Sequence, residues 1–139
     1  MPVLLDTHVW VWWLSGGGRL SAHESEALDR LAERGELRLS AISLWEVQMA
    51  YAKKRFEPQD PFETWLRAAT RPDVIQLVAI DLRVALALNG LPERFHNDPA
   101  DRLIVATARA YRLPLATHDK AIRRSRTICA WRPQVVRGL

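Results

Sequence analysis

Four acidic residues, far apart in the chain, each follow or begin a predicted secondary-structure element. Asp6 follows the apolar run 2–5, Glu46 lies in SLWE, Asp101 in DPAD and Asp119 in ATHD. An aspartate directly after a buried strand is costly to bury unless a partner neutralises its charge. Carboxylate oxygens are also the ligands that hard divalent ions such as Mg²⁺ or Mn²⁺ select. The four acids are therefore candidate ligands of one metal site, provided that the fold brings them together.

The same acids also have structural interpretations, which are the commoner ones for first-turn residues. Asp98, followed by a proline, is a good helix N-cap, and Asp101 three residues later fits the partner position of a capping box. Ser43 and Glu46 match the capping-box pattern at another predicted helix. Asp119 is equally compatible with an ordinary turn. The interpretation as a metal site thus depends on all four acids meeting at one place.

Strand and helix patterns alternate along the chain, which predicts an α/β fold with a mostly parallel central sheet of four to five strands flanked by helices. The predicted strands are 2–5, 37–42, 74–80, 113–117 and 127–131, and the predicted helices are 7–14, 21–34, 43–55, 62–69, 81–89 and one within 95–110. In such a fold the carboxyl ends of the strands and the N-termini of the following helices share one edge of the sheet, where ligands bind.

All four acids fall at that edge of the predicted sheet. We expect no lysine or arginine to pair with them there, so the acids would raise one another's pKa values. One or two divalent ions would relieve that repulsion. The topology therefore predicts an oxygen-only metal site, because histidine and cysteine are not clustered as a zinc site requires.

Length and composition restrict the class of protein. With 139 residues, 48% hydrophobic and 26% charged, we expect one domain, residues 1–139, with a substantial core. The net charge of +4 and a pI of about 9.8 favour a polyanionic partner such as nucleic acid. The single cysteine excludes an internal disulfide and fits a reducing compartment. The sequence has neither a signal-peptide core nor a bilayer-length apolar run, so we expect a cytoplasmic protein with no membrane partner.

Four segments, in order, resemble the PIN-domain ribonucleases, specifically the VapC-type toxins of bacterial type II toxin–antitoxin pairs. They are LLDTHVWVWWL, SAISLWEVQMAYAKKR, HNDPADRLIVATA and LATHD, within Val3 to about Trp131. The resemblance implies a single PIN domain, hydrolysis of RNA that depends on one or two Mg²⁺ or Mn²⁺ ions, a cognate antitoxin and a homodimer. The glycine usual in this family after the basic pair is absent from KKRF, at 53–56, which affects the shape of that loop.

The resemblance also implies roles for individual residues. The catalytic residues and metal ligands would be the four acids Asp6, Glu46, Asp101 and Asp119. Asp98, an extra aspartate of this subgroup, is assigned to helix capping and support of the site, and Thr117 to orienting a carboxylate or a water. The implied reaction is in-line attack of a metal-activated water on phosphorus, which leaves 5′-phosphate and 3′-hydroxyl ends.

Basic residues near these motifs are candidate contacts for RNA, although a solvated charged face is the commoner explanation for any one of them. They are Lys53, Lys54, Arg55, Arg102, Lys120, Arg123, Arg124 and Arg126. The tryptophans at 10, 12, 13, 45 and 65 are predicted to be core or interface residues more often than stacking platforms for bases.

Two other interpretations stay open at this point. Phosphatases and phosphotransferases of the haloacid-dehalogenase type also place an aspartate after the first strand, but they use a second aspartate two residues later, where this chain has His8. A non-catalytic nucleic-acid-binding module would keep the fold without the chemistry, and the presence of all four acids counts against it. Cleavage of RNA and its sensitivity to chelation distinguish the three interpretations.

Overall fold

Short strands and longer helices alternate in the computed structural model, which describes residues 1–92 and 98–133. The strands are β1 (Val3–Leu5), β2 (Leu37–Ser40), β3 (Gln76–Val78) and β4 (Leu115–Ala116). The helices are α1 (Thr7–Ser15), α2 (Ala22–Glu33), α3 (Ile42–Ala52), α4 (Phe62–Ala69), α5 (Leu82–Asn89), α6 (Pro99–Ala110) and α7 (Lys120–Arg124). The strands form one parallel sheet in the order β3-β2-β1-β4, which confirms the predicted α/β class.

The sheet is buried on both faces by two apolar clusters. Val3 and Leu5 of β1 belong to one cluster and Leu4 to the other, because successive side chains of a strand point to opposite faces. Trp10 of α1 is fully buried in the first cluster and donates its indole N–H to the carbonyl of Ala69 at 3.2 Å. The core assignment of this tryptophan is therefore confirmed. Of the helices in residues 1–92 and 98–133, none has the length and apolar character that crossing a bilayer requires.

Two helix N-caps follow the local chemistry of the sequence. Ser21 caps α2 in a complete capping box with Glu24. Asp98 caps α6 by accepting hydrogen bonds from the backbone N–H groups of Ala100 at 2.8 Å and Asp101 at 3.3 Å. Both predictions are confirmed, although the first residues of the stretch 95–110, up to position 97, lie outside the described residues.

The capping box predicted for Ser43 and Glu46 is wrong. Helix α3 begins at Ile42, and its N-cap residue, Ala41, makes no side-chain cap hydrogen bond. The side chains of Ser43 and Glu46 instead both contact the hydroxyl group of Thr7. A tertiary partner therefore takes the two side chains that local sequence assigns to the helix end.

The predicted fifth strand, 127–131, is reduced to an isolated parallel bridge between Leu115 and Ala130. Strand β4 has only two residues, so it offers little backbone for pairing. Pro114 before it lacks an N–H group, and Thr117 after it begins the turn into α7. Strand β3 is likewise shorter than the predicted segment 74–80.

Helix α3 ends in a turn that usually requires glycine. Lys54 has left-handed backbone, with φ of 59°, and the N–H of Arg55 donates to the carbonyl of Ala50 at 2.8 Å. Helix α2 ends in the same turn, but there Gly35 occupies the left-handed position with φ of 67°. A side chain at that position is strained by its Cβ, so the end of α3 is held at an energetic cost.

Candidate active site

Asp6 lies at the carboxyl end of β1 and is 5% exposed. Its Oδ1 accepts a hydrogen bond from the N–H of Thr7, and its Oδ2 accepts one from the hydroxyl of Thr117, both at 2.8 Å. Burial raises the pKa of Asp6, and the Asp119 carboxylate adds to that rise. The hydrogen bonds from the two threonines and the charge of His8 act in the opposite direction. Asp6 is thus firmly oriented, in a place that disfavours its charge.

Thr117 connects Asp6 to the acid that follows β4. Its hydroxyl donates to Asp6 and accepts the backbone N–H of Asp119 at 3.0 Å, so one oxygen links the ends of two adjacent strands. Asp119 caps α7 by accepting the N–H of Ile122 at 3.0 Å. Arg123 donates through Nε to the carbonyl of Thr117 at 2.7 Å and so holds the same turn. This geometry is what the predicted positioning role of Thr117 requires.

Glu46 reaches the same edge from α3. The hydroxyl of Thr7 donates to Glu46 Oε1 at 2.6 Å and lies 2.7 Å from the hydroxyl of Ser43. Because the single proton of Thr7 goes to Glu46, Ser43 is the donor in the second contact. Burial raises the pKa of Glu46, the hydrogen bond from Thr7 opposes this, and the charges of Asp6 and Asp98 raise the pKa further.

The first turn of α6 adds two more acids. Asp98 is exposed, and its charge acts on Glu46. Asp101 is half-buried in the same turn. Asp6, Glu46 and Asp119 therefore lie close together: the hydroxyls of Thr7 and Thr117 contact these residues, and Asp6 is close enough to Asp119 and Glu46 for their charges to interact. Asp101 lies on the neighbouring first turn of α6. This is the acidic edge, the carboxyl edge of the sheet that carries positions 6, 46, 98, 101 and 119.

The donors of the acidic edge fit a hard divalent ion by their chemistry. All of these donors are oxygens. The pKa of both Asp6 and Glu46 is raised, so an added cation would stabilise the charged forms of these two carboxylates. They do not form a ready-made cage: within residues 1–92 and 98–133, no three aspartate, glutamate, histidine or cysteine side chains are grouped closely enough to hold one ion. Asp6 and Glu46 use the hydroxyls of Thr117 and Thr7 as partners instead.

A cleft of about 550 Å³ opens beside the acidic edge and brings positive charge close to it. Lys53 and Arg55 line this cleft together with Glu46 and Asp98. Two of the predicted RNA contacts, Lys53 and Arg55, thus lie in the same cleft as two of the acids. Lys54 between them has the left-handed backbone of the turn that ends α3.

The other predicted RNA contacts are more dispersed. Three belong to α7, which begins directly after Asp119: Lys120, Arg123 and Arg124. Arg102 donates from Nη1 to the carbonyl of Pro92 at 3.1 Å. Arg126 lines a cavity with Met1 and Pro114, which precede β1 and β4. The structure thus places Arg126 at the opposite edge of the sheet from the acids.

Sequence reasoning missed the residues that hold the acids in place. Thr7 and Ser43 stand one residue after Asp6 and three before Glu46, and both are buried. The available signal was a hydroxyl side chain at each of two points where a predicted strand gives way to a helix. His118, next to Thr117, turns away from this arrangement, and its Nε2 lies 2.7 Å from a carboxylate oxygen of Glu24.

The fold and the acidic edge define a class of protein, and comparison with known proteins gives the same class. The model of the PIN domain family matches residues 3–126, and the chain belongs to that family. Among curated proteins it is similar to Ribonuclease VapC22 of Mycobacterium tuberculosis, with 36% identity over 124 residues, which cover 89% of this chain and 92% of that protein. The resemblance of the four sequence motifs to this family is thereby confirmed.

Solved structures show the same fold at low sequence identity. VapBC2 from Rickettsia felis, bound to a DNA fragment from its promoter, matches with a TM-score of 0.72 at 16% identity, covering 94% of this chain and 98% of that chain. DNA-bound VapBC from Salmonella typhimurium matches with a TM-score of 0.70 at 15% identity, covering 94% and 97%. These likenesses concern the fold alone.

Proposed function

We propose that this protein is a metal-dependent endoribonuclease and the toxin of a toxin–antitoxin pair. The acidic edge is the observation that carries the proposal, because it gathers mutually repelling carboxylates, with Asp6 buried and Glu46 half-buried, where ligands of open α/β sheets bind. Support comes from the relative named a ribonuclease and from the fold shared with VapBC proteins. RNA is the proposed substrate and a cognate antitoxin the proposed partner. A homodimer and a cytoplasmic site of action belong to the same proposal and follow from the family resemblance.

The proposed ligands of Mg²⁺ or Mn²⁺, one or two ions per site, are Asp6, Glu46, Asp101 and Asp119. A bound divalent ion supplies Lewis acidity, which activates water and stabilises negative charge during displacement at phosphorus. The protein supplies orientation. Thr7 and Thr117 fix both oxygens of Asp6 before substrate arrives, and the Ser43–Thr7 pair fixes Glu46.

Glu46 differs from Asp6 in its exposure to the cleft. Burial and the charges of Asp6 and Asp98 raise the pKa of Glu46, so without a bound ion its charged form is disfavoured. Glu46 lines the cleft, whereas Asp6 is buried. Of these two proposed ligands, Glu46 is therefore the one that a substrate in the cleft can reach.

Positive charge beside the acids supports an anionic polymer as substrate. Lys53 and Arg55 line the cleft, and the exposed Lys120 and Arg124 lie on the helix that begins after Asp119. Contacts of this kind are made to phosphates and position a nucleic acid without reading its bases. Hydrolysis by water requires no 2′-hydroxyl, so the preference for RNA over DNA must come from groups that contact the ribose.

An RNA-cleavage assay tests the proposal. We expect cleavage with Mg²⁺ or Mn²⁺, no cleavage in EDTA, and no cleavage by the Asp6→Asn or Asp101→Asn variants. Arg126→Ala, at the opposite edge of the sheet, is the matched control and retains cleavage. Cleavage that persists both in EDTA and in Asp6→Asn would rule the proposal out. Phosphate release from small phosphoesters without RNA cleavage would favour the phosphatase interpretation instead.

A further inference from the structure

The cleft beside the acidic edge has an apolar and largely aromatic wall. Its apolar lining comes mainly from α1, α3 and the turn after α3: Val11, Trp12, Trp45, Met49 and Phe56. The volume of about 550 Å³ lies within the range of small-ligand sites. Thr7, Glu46 and Asp98 also line the cleft, so it borders the acidic edge. A ligand in this cleft therefore lies beside Glu46 and Asp98.

Trp45 differs from the other tryptophans of the helical layers. Trp10 is fully buried, and Trp65 packs against it with ring centroids 5.4 Å apart. Trp45 is 54% exposed, although it lies on the same helix as Glu46 and directly precedes it. An indole left in water at the rim of a cleft is a surface that a flat apolar group can cover.

Trp12 lines the same cleft and packs closely against the loop that follows α1. Gly18 has left-handed backbone, with φ of 77°, and a Cβ built on it would overlap the indole ring of Trp12. The ring of Trp12 also lies 5.6 Å from that of His8, which is another residue of the cleft. Trp12 is thus a packed part of the cleft lining, in contrast to the exposed Trp45.

Charge is distributed along the cleft with opposite signs at its two ends. Glu46 lies near the start of α3, and Lys53 is the residue after its last turn, about 10 Å further along the helix axis. Arg55 adds a second cation at the same end as Lys53. A nucleotide within an RNA strand has groups that suit this arrangement, because its sugar joins two successive phosphates and carries a flat base to one side. Bound in the cleft, it would present the reacting phosphate to the acids, the next phosphate to the cations and the base to the indole.

We propose that Trp45 stacks on one unpaired base of the RNA, next to the bond that is cut, while Lys53 and Arg55 hold the adjoining phosphate. This inference rests on the proposed ribonuclease function and adds a determinant of its specificity. A base reaches Trp45 only after it leaves its own stack, so a base-paired segment does not fit. Stacking tolerates any base, because every base has a π-face, and it selects unpaired structure more than sequence.

The stacking is tested by removing the indole from the protein and one base from the RNA, singly and together. The substrates are short single-stranded RNAs of mixed sequence whose cleaved bond has been mapped, each with one abasic position near that bond. We expect Trp45→Ala to lower kcat/KM on intact RNA by roughly 5- to 100-fold, the range that loss of one stacked base produces. One abasic position should lower kcat/KM of the unaltered protein by a similar factor, and it should cause no further loss in Trp45→Ala. Trp45→Phe should restore most of the rate.

Tyr51→Ala is the matched control. Tyr51 is an exposed aromatic residue of the same helix, at 42% exposure, but it stacks on Phe62 and does not line the cleft. We expect this variant to cleave intact and abasic RNAs with the same ratio of rates as the unaltered protein. A loss in Tyr51→Ala equal to that in Trp45→Ala would show a general effect on the helix and overturn the proposal.

Two further results would also overturn it. One is a loss caused by the abasic position that remains in full in Trp45→Ala. The other is unchanged RNA cleavage by Trp45→Ala with weakened binding of the antitoxin, which would make the cleft a protein-docking surface. Binding of the same RNAs to Asp6→Asn, followed by fluorescence anisotropy, separates stacking from chemistry. If no RNA is cut but the abasic position weakens binding only when Trp45 is present, the ribonuclease proposal fails and the stacking proposal stands.

Discussion

Asp6 and Asp81 have the same local structure but opposite electrostatic environments. Each caps a helix, α1 or α5, and each accepts a hydrogen bond from the hydroxyl of a distant residue, Thr117 or Tyr111. Burial raises the pKa of Asp6, whereas the hydrogen bond from Tyr111 holds the pKa of Asp81 below its ordinary value. Arg83 lies 4.7 Å above the ring of Tyr111 and favours the charge of Asp81 further.

The difference lies in what surrounds the two caps. Asp6 is buried at the sheet edge near the like charges of Asp119 and Glu46, while Asp81 is half-buried near the cation of Arg83. A helix-capping aspartate is therefore no indication of function by itself. We expect a cap whose charge is disfavoured by burial and like charges, as in Asp6, to gain more from a bound cation than a cap whose charge its neighbours favour.

Replacement of each aspartate by asparagine should give the largest contrast. We expect Asp6→Asn to lower kcat/KM for RNA cleavage by at least about 100-fold, since it removes a ligand of the reacting centre. Asp81→Asn keeps the helix cap and should remain within about twofold of the unaltered protein. Circular dichroism of both variants serves as the check on folding. Equal losses in the two variants would remove the distinction between the caps.

Addition of metal should separate the two aspartates by stability alone. Mg²⁺ that binds only the folded protein raises the free energy of unfolding by about 2.7 kcal/mol at a concentration 100 times its Kd. We expect this rise in the unaltered protein and in Asp81→Asn, and not in Asp6→Asn. Thermal unfolding in a Mg²⁺ titration measures it without RNA. A rise of the same size in Asp6→Asn contradicts the assignment of Asp6 as a ligand.

Removal of the two hydroxyl groups tests the partners of the caps. Thr117→Val leaves Oδ2 of the buried Asp6 without its donor, and we expect a loss of about 1–3 kcal/mol in unfolding free energy. Tyr111→Phe removes the corresponding donor from Asp81, which is only half-buried, so water can replace that donor and the loss should be smaller. Chemical denaturation of both variants gives the comparison. A larger loss in Tyr111→Phe would mean that burial does not distinguish the two sites.

The smallest expected effects concern the dependence of the free energy of unfolding on pH. Asp6→Asn and Asp81→Asn should change this free energy in opposite directions. Because the folded-state pKa of Asp6 is raised, its contribution is fully present below the ordinary carboxyl pKa and is lost as pH rises through the folded value. Metal-free Asp6→Asn should therefore be more stable than the unaltered protein at neutral pH.

The pKa of Asp81 is lowered, so its contribution is present above the ordinary carboxyl pKa and is lost as pH falls. At neutral pH the free energy of unfolding of Asp81→Asn should be lower than that of the unaltered protein, and this deficit should shrink as the solution is made acidic. The higher free energy of unfolding of Asp6→Asn should also shrink over the same change in pH. Denaturation curves at a series of pH values measure both. If both variants were more stable than the unaltered protein at neutral pH, or both less stable, the pKa directions would be contradicted.

Features that depend on neighbours in sequence could be predicted in this chain, and those that depend on distant partners could not. The bounds of α4 and the caps Ser21 and Asp98 follow from local chemistry and were predicted. The meeting of Asp6 with Asp119 followed from the rule that parallel strands share their carboxyl ends. The position of Glu46 at the same edge was predicted as well, but the hydrogen bonds of Ser43 and Glu46 were not, because the hydroxyl that they contact belongs to Thr7, 36 and 39 residues away.

Basic residues show the same limit. Lys53 and Arg55 line the cleft with Glu46 and Asp98, and Lys54 between them has a left-handed backbone, which lysine rarely adopts and which sequence alone therefore disfavours. Arg126 is close to Asp119 along the chain, but the structure places it at the other edge of the sheet. Sequence distance from a motif is thus a poor guide to which charges reach the site.

Thr117 donates its hydroxyl proton to Asp6 across 111 positions of the chain, and this span has a consequence for protein synthesis. Asp6 leaves the ribosome before β4, the strand that pairs beside β1, and before Thr117 and Asp119, which follow β4. Until those residues are made, Asp6 has neither its hydroxyl partner nor its neighbouring carboxylate. We therefore expect the acidic edge to assemble only after residue 119 has left the ribosome.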